Sequence, residues 1–528
     1  MFRFGIDRLL EDPSPIAGKR VGLLSHPAGL TSSLVPGWKD LGRIPGVRLV
    51  RLFGPEHGID GGAQDMASVS DSVHPETGLP VRSLYGRTRQ SLSPSLRDLE
   101  ELDVLVCDLQ DVGSRYYTFV WTVCLAMEAC AAAGVRVVVC DRPNPLGGAR
   151  EGEPQRDDLC SFVGLSPLPV RHGRTVGEIA SHFRKKMRLD VDLVVIPMKG
   201  WARQSGWPRS ALWMAPSPNM PTLETALVYP GACLLEATNL SEGRGTTRPF
   251  ELVGAPFLDA EALSEALDES ALPGVRFLPV HFIPTFQKFA GEICHGVFQR
   301  VLDAEAYRPF ETGLRMLEAC RRNAPRDFRW RENPYEFETR PAIDLLTGSP
   351  EFRDLLDRGS ALDEYCRRQR QIEDPSPATL IYPDARPAVV GITGEHNSGK
   401  TTLLEKLVPR LRDRGLSVGA VKHTPHDVED DVAGKDSYRA RHAGAEPSAF
   451  VRTGESTVRR REDDSLERIL SRDFSDCDVV LVEGYKRLPM TRIEVGKTRR
   501  FGVDFAGRDY TDDLDSLAAA LLRHFRLE

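Results

Sequence analysis

The tightest constraint in this chain lies at residues 394–401. Gly394-Glu395-His396-Asn397-Ser398-Gly399-Lys400-Thr401 fits G-x-x-x-x-G-K-[ST] in full. AVVGIT before it is β-rich, and Leu403, Leu404, Leu407, Val408 and Leu411 after it fall on one face of a helix that Gly415 is placed to stop. Such a loop works only between a strand and a helix. Its glycines let backbone N–H groups close around phosphate oxygens at the helix N-terminus, while Lys400 neutralises the outer phosphates and the Thr401 hydroxyl reaches Mg²⁺.

Nearly four hundred residues precede that loop, and they carry a pattern of their own. A chain of 528 residues at about 150 residues per domain predicts three or more domains. Dense charge in a helical pattern over 349–377 gives way to ATLIYPDARP, and a new apolar strand begins after Pro387. We expect units at 1–228 and 229–382, a short link at 383–387, and a third unit at 388–528 tethered with limited freedom. A net charge of −7 offers no electrostatic reason for nucleic acid or an anionic membrane as partner. The ten cysteines form no C-x-x-C pair, and those in apolar runs such as VVVC read as reduced core residues. The opening MFRFGIDRLLEDPSP is charged from the start, so no signal peptide is expected. The longest apolar run, YYTFVWTVCLAM, is too short to span a bilayer. These features predict a cytoplasmic location.

Beyond the phosphate loop, a strand from Ser417 to Val421 ends at Lys422 and His423, with Asp427 in the polar loop after it. DVVLVEGYK reads as a buried strand delivering Glu483 at its end, where an acid can position Mg²⁺ or its waters. Taken singly, His423, His426 and Asp427 fit a polar loop without a ligand equally well. Together NSGKTTL, KHTPHD, GKDSYR and LVEGYK stand in the order of the molybdopterin-guanine dinucleotide biosynthesis adaptor family, MobB, which residues 388–528 resemble. The resemblance implies a P-loop NTPase-like α/β domain that binds GTP with Mg²⁺, hydrolyses it weakly and assists attachment of GMP to molybdopterin. It also implies a homodimer formed through this domain, with a molybdenum cofactor guanylyltransferase and molybdopterin as partners. Carried across, Gly394, Asn397, Ser398, Gly399, Lys400, Thr401, Thr402, Lys422 and His423 hold the nucleotide. Thr401, Asp427 and Glu483 stand on the metal side. EDDVAGKDSY departs from the family pattern, which tends to have proline before Gly-Lys. The competing reading is another P-loop NTPase or a kinase.

In the front half the pattern is strand, polar motif, helix, repeated. Strands end at Ser25-His26, at Glu56-His57, at Asp108 with Asp111 and Arg115 following, and at Asp141, Arg142 and Asn144. Near-continuous apolar strands alternating with helices predict a parallel sheet covered on both faces, with ligands bound beyond the carboxyl ends of its strands. No G-x-G-x-x-G follows the first strand, which argues against a dinucleotide. Singly, each motif has a structural alternative: GPEHG as a turn with a capping Glu, DRPNP as a turn, Asp108 as a helix cap. A later block supplies polar residues suited to a sugar: Asn219, Glu236, Asn239, Glu242, Arg244, Thr246 and Thr247, then Lys288, Glu292 and His295. That block also reads as a structural loop over the cleft.

FGPEHG, VSDSVHPETGLPVRSLYG, DLQDVGSRYYT, DRPNPLGG, PSPNMP and EATNLSEGRGTTRPFE stand in family order, and residues 3–382 resemble the NamZ-type exo-β-N-acetylmuramidases. The resemblance implies a Rossmann-like parallel-sheet domain, a smaller α/β domain and an active site between them. The implied reaction removes terminal MurNAc from peptidoglycan-derived muropeptides or related amino sugars. GIDGG after the PEH departs from the family's usual Gly-Phe-Arg-Gly, placing Asp60 where relatives carry a cation. Glycoside hydrolysis needs a proton donor and a second carboxylate. Glu56 beside His57 is the expected acid, and Asp108, Asp111, Asp141 or Glu242 the second group. His26, Arg115, Arg142, Asn144, Asn219, Asn239, Glu242 and Arg244 are the expected substrate contacts. A non-catalytic sugar-binding module is the alternative.

Overall fold

The computed structural model describes residues 2–64, 67–86, 88–208, 210–335, 337–370, 372–373, 377–382, 387–395, 397–423, 448–452, 455–459, 465–474, 477–485, 488–496 and 502–527. The chain divides into two units, residues 1–382 and 383–528. Among the described residues no helix is long and apolar enough to cross a membrane. All ten cysteines are free thiols, and only Cys160 and Cys477 are less than fully buried.

The first unit is built on a seven-stranded sheet of β1 (Arg20–Ser25), β2 (Arg48–Gly54), β3 (Ser72–Val73), β4 (Pro80–Ser83), β5 (Val104–Asp108), β6 (Arg136–Cys140) and β7 (Leu193–Ile196). The strand order is β3-β4-β2-β1-β5-β6-β7, parallel except for the β3–β4 pair. The apolar runs that predicted strands are buried because both faces are covered. One face packs Val21, Leu23, Val106 and Val138 under the helix Gly5–Glu11. The other packs Leu24, Leu105, Val137 and Val139 with the helix Phe119–Ala133. That helix is apolar nearly all round because it lies inside the fold.

The same core continues into the second half of the unit. There β8 (Leu252–Ala255), β9 (Val275–Phe282) and β10 (Cys294–Val301) form an antiparallel sheet in the order β8-β10-β9. Leu263, Leu267, Phe310, Leu314 and Leu317 of two helices belong to one cluster with the first sheet. The expected division at 228/229 falls inside the helix Leu223–Ala232.

The second unit has six strands in one sheet: β11 (Ala388–Gly394), β12 (Val418–Lys422), β15 (Val479–Glu483), β16 (Thr491–Val495), β17 (Val503–Phe505) and β18 (Arg508–Asp509). Their order is β12-β15-β11-β16-β17-β18, with β13 (Ser448–Arg452) and β14 (Glu455–Arg459) forming a separate hairpin. The four strands β12, β15, β11 and β16 are parallel. Helix Lys400–Asp413 buries Leu403, Leu407 and Leu411, with Leu404 and Val408 partly buried beside them. The closing helix Leu514–Phe525 packs into the same cluster through Leu517, Ala518, Leu521 and Leu522.

Candidate active site and nucleotide loop

β2 ends at Gly54, and the chain turns back through Pro55-Glu56-His57-Gly58. A Cβ on Gly54 would lie 2.4 Å from the Ile59 backbone nitrogen, so the close return requires glycine. His57 is left-handed at φ 70, a strained conformation of the kind that clusters at functional sites. Glu56, 4% exposed, accepts a 2.8 Å hydrogen bond from Thr118 Oγ1, the residue before the buried helix. His57 Nδ1 lies 2.8 Å from the Ala63 carbonyl. Both residues line a narrow cleft of about 30 Å³, together with Tyr117, Ser217, Asn219, Tyr229, Glu236, Arg244 and Tyr335. Burial pushes the Tyr117 phenol well above its ordinary value, and the charges of Asp111 and Glu56 add to the rise.

The far wall is a buried chain of alternating charges. Arg244 Nη1 donates to Glu236 Oε1 at 2.7 Å and to Glu242 Oε1 at 2.9 Å. Lys288 Nζ donates to Glu242 Oε2 at 3.0 Å, and the Tyr335 hydroxyl donates to Glu236 Oε2 at 2.8 Å. Burial alone would raise the Glu242 carboxyl, but Lys288 and Arg244 beside it hold it well below the usual range. The Arg244 guanidinium stands 4.8 Å from the Phe250 ring. This wall comes from residues 229–382 and Glu56 from residues 1–228, so the cleft needs both parts of the unit.

The other strand-end residues do not line this cleft. Asp108 makes a two-point ion pair with Arg142, at 2.6 Å to Nε and 2.9 Å to Nη2. Asp141 accepts from Thr175 Oγ1, the Gly177 nitrogen and the Tyr382 hydroxyl, and burial raises it to about 6. Asp111 Oδ2 accepts from the Gly113 nitrogen and lies 3.1 Å from His172 Nε2, while its Oδ1 is buried without a partner among the described residues. The two ring nitrogens of His26 lie 2.7 and 3.0 Å from the backbone nitrogens of Gln110 and Ala28, and burial drives its pKa down to about 3. Arg115 donates to the carbonyls of Glu153, Leu168 and Leu346. Asn144 accepts from the Leu146 nitrogen in its own turn and donates to the Arg174 carbonyl, and Asn239 bonds the backbone of Asp327 and Arg329. Asn219 and Arg244 line the cleft, Glu242 stands behind Arg244, and Asp60 is exposed outside it. Tyr117, Ser217, Tyr229 and Tyr335 were not among the expected contacts. The doubled tyrosine in SRYYTF signalled Tyr117 and the PSPNMP motif signalled Ser217, while nothing in the local pattern marked Tyr229 or Tyr335.

In the second unit, Gly394 (φ 155), Asn397 (φ 59) and Gly399 (φ 98) shape the loop between β11 and the helix Lys400–Asp413. A Cβ on Gly394 would lie 2.3 Å from the Val495 carbonyl. Lys400 Nζ arches over the loop to the carbonyls of Gly394 and Glu395, at 3.2 and 2.7 Å. Thr401 and Thr402 are exposed at the helix start. Glu483 ends β15 opposite Ile392 and Lys422. Its Oε2 is buried with no hydrogen-bond partner among the described residues, as is Ser398 Oγ. His423 stacks at 4.2 Å on Tyr485. Asp427 lies outside the described residues.

Residues 21–224 match the family model described as exo-β-N-acetylmuramidase NamZ, N-terminal, and residues 227–374 match its C-terminal counterpart. Residues 389–507 match the model of molybdopterin guanine dinucleotide synthesis protein B. The chain is 42% identical over 385 residues to the peptidoglycan β-N-acetylmuramidase NamZ of Bacillus subtilis, covering 72% of this chain and 91% of that protein. It is 36% identical over 117 residues to the molybdopterin-guanine dinucleotide biosynthesis adapter protein of Haemophilus influenzae. That match covers 22% of this chain and 66% of the adapter, so the chain spans just under two thirds of that relative's length. Among solved structures, a DUF1343 family protein from Bacteroides fragilis superimposes with a TM-score of 0.62 at 32% identity, covering 70% of this chain and 97% of that one.

Proposed function

The chain belongs to the exo-β-N-acetylmuramidase NamZ family, with a MobB domain behind it. From that premise we propose that its first unit is a glycoside hydrolase releasing terminal MurNAc from the non-reducing end of peptidoglycan fragments. The observation that carries the reading is that Glu56 and Glu236 line one cleft with tyrosine rings and the Arg244 cation. Glu56, fixed by Thr118, is the acid that protonates the leaving glycosidic oxygen. Glu236, anchored by Arg244 and Tyr335, supplies the second carboxylate facing the positive charge that develops on the sugar. Asp108 and Asp141 are already engaged by Arg142 and by the turn at 175–177, which favours Glu236 for that role. Arg244 is the cation best placed for the lactyl carboxylate, and the tyrosine rings give the sugar its apolar faces.

A chromogenic MurNAc glycoside tests this. Turnover by the parent should fall about 10²–10⁴-fold in Glu56→Gln, with folding retained because glutamine still accepts from Thr118. Equal turnover in both would remove Glu56 from the chemistry. MurNAc binding without turnover by the parent would instead favour a sugar-binding module.

For the second unit we infer a GTP-binding adaptor domain acting in molybdenum cofactor maturation as a homodimer, with a guanylyltransferase and molybdopterin as partners. Lys400 and the loop nitrogens suit phosphate oxygens, and Thr401 with Glu483, whose Oε2 has no hydrogen-bond partner among the described residues, suits Mg²⁺. Asp427 keeps the metal-side role that the family pattern gives it. Mg²⁺, when bound, would neutralise charge between the outer phosphates. We assign the chain to the cytoplasm, where GTP is kept and the free thiols stay reduced. Calorimetry with GTP and ATP checks the base preference, and equal affinity for both would turn the reading toward a general P-loop NTPase.

A further inference from the structure

Among the described residues β7 has a partner on one side only, β6, and it forms one edge of the seven-stranded sheet. The bonds to β6 use alternate residues of this end of the chain: the Val137 nitrogen donates to the Asp192 carbonyl, and the Asp141 nitrogen donates to the Ile196 carbonyl. In a parallel ladder one residue turns both its N–H and its C=O to the neighbour, and the next turns both away. Asp192, Val194 and Ile196 therefore face β6, while the N–H and C=O groups of Leu193 and Val195 point off the sheet. An open row of this kind is a template for an added strand.

A groove of about 330 Å³ lies along this edge, and Leu193 and Val195 line it together with Leu189. Ser181, Arg184, Lys185 and Arg188 also line it, spaced as one stripe on the helix Val176–Met187 and its cap. Thr379 completes the lining. The two hydroxyls are already engaged, Ser181 donating to the Gly177 carbonyl and Thr379 accepting from Arg174. The three cations are exposed and make no ion pair among the described residues. Basic residues suit the last turn of a helix, but here they also stand beside an unpaired strand edge. Asp190 and Asp192, the nearest acids along the chain, line a different cavity, and Asp192 pairs with Arg136. In a chain of net charge −7 this groove is locally cationic.

The two features together select the occupant. The strand edge asks for an extended peptide backbone, and the cations ask for acids. Side chains of an added strand alternate between the two faces of the sheet, so those on the helix side would meet Arg184, Lys185 and Arg188. Nucleic acid or an anionic membrane would satisfy the cations but brings no row of amide donors and acceptors for Leu193 and Val195. A second copy paired edge to edge would bring its own three cations where acids are called for.

We propose that the β7 edge and the Arg184–Lys185–Arg188 stripe form a docking groove for an extended acidic segment of another protein, which joins the sheet as one more strand. The test titrates the full chain with a fluorescent peptide of alternating valine and glutamate, following anisotropy. The comparison probes are a valine/lysine peptide, a proline/glutamate peptide of equal charge that cannot pair as a strand, a single-stranded oligonucleotide and phosphatidylserine vesicles. The valine/glutamate peptide should bind saturably and best. Val195→Pro removes one outward N–H and leaves the bonds to β6 in place, as an edge strand tolerates. The double variant Arg184→Glu, Arg188→Glu reverses two exposed charges and keeps the fold if proline does not. Each should weaken binding at least about tenfold while the melting temperature stays near the parent's. No saturable binding of the valine/glutamate peptide, or binding unchanged in the charge variant, overturns the proposal. Equal binding of the proline/glutamate peptide reduces the groove to charge attraction and overturns strand addition. Tighter binding of the oligonucleotide or the vesicles overturns the peptide as occupant.

Discussion

The phenol of Tyr382 donates a 2.6 Å hydrogen bond to Asp141 Oδ2, across 241 positions of sequence. The Tyr382 hydroxyl oxygen in turn accepts from the Met198 nitrogen at 3.0 Å, and the ring packs edge-on against Trp201. Tyr382 is the last residue of the first unit, so this contact ties the end of that unit to the end of β6. Asp141 thereby joins the sheet edge, the start of the helix Val176–Met187 and the terminal segment in one buried carboxylate.

Tyr382→Phe keeps the ring but removes the donor to Asp141 and leaves the Met198 nitrogen without its acceptor. The first unit should lose about 1–3 kcal/mol in urea unfolding, while MurNAc release at 25 °C stays near the parent rate. An unchanged midpoint would show that this joint contributes nothing to stability.

Burial raises Asp141 from 3.8 to about 6, against the hydrogen bonds that pull it down. Its folded value lies above its unfolded one. Its contribution is therefore full below pH 3.8, declines as pH rises to about 6 and is flat beyond, a change of roughly 3 kcal/mol at most. The stability gap between parent and Asp141→Asn should shrink from pH 4 to pH 6. A gap that widens over that window would reverse the assignment.

His26 runs the other way. Burial lowers it from 6.5 to about 3, with Arg142 adding to the drop. Stability from its neutral ring is complete above pH 6.5 and is lost as pH falls toward 3. The gap between parent and His26→Gln should grow from pH 4 to pH 6.5, measured by chemical unfolding at each pH.

Arg244 holds two buried carboxylates at once. Arg244→Met would strand Glu236 without its cation and leave Glu242 with Lys288 alone, costing about 3–5 kcal/mol and sharply lowering MurNAc release. Lys288→Met leaves Arg244 in place and should cost less. Thermal melts of the two variants compared with the parent decide the order.

In the second unit, Lys400→Ala removes a charge-assisted contact worth roughly 1.5–3 kcal/mol, or about tenfold to a hundredfold in GTP affinity. Melting of this unit should barely move, because among the described residues the ammonium bonds only the loop carbonyls of Gly394 and Glu395. Equal GTP affinity in mutant and parent would sink the phosphate-loop assignment, and an altered MurNAc rate would show that the two units communicate.

Much of this protein was legible in the chain itself, for a local reason. A strand buried on both faces must read as an unbroken apolar run, so β1, β2, β5 and β6 and the polar residues that follow them could be marked along the sequence. The phosphate loop was equally plain, since glycine spacing, lysine and the amphipathic helix after it are all contiguous. What no local pattern held was which strand-end carboxylate lines the cleft. Glu56 and Asp108 both follow apolar strands, yet Asp108 is closed off by Arg142, 34 positions away, and Asp141 by Tyr382. Glu236 sat in a turn-rich block with nothing to distinguish it from Glu242 until Arg244 and Tyr335, 99 positions from Glu236, oriented it into the cleft. The sequence determined the elements and the chemistry at their ends, because backbone hydrogen bonding and hydrophobic periodicity act over a few residues. Only the tertiary structure decided the site, because a carboxylate's role depends on the charges and donors packed against it, and those arrive from anywhere in the chain.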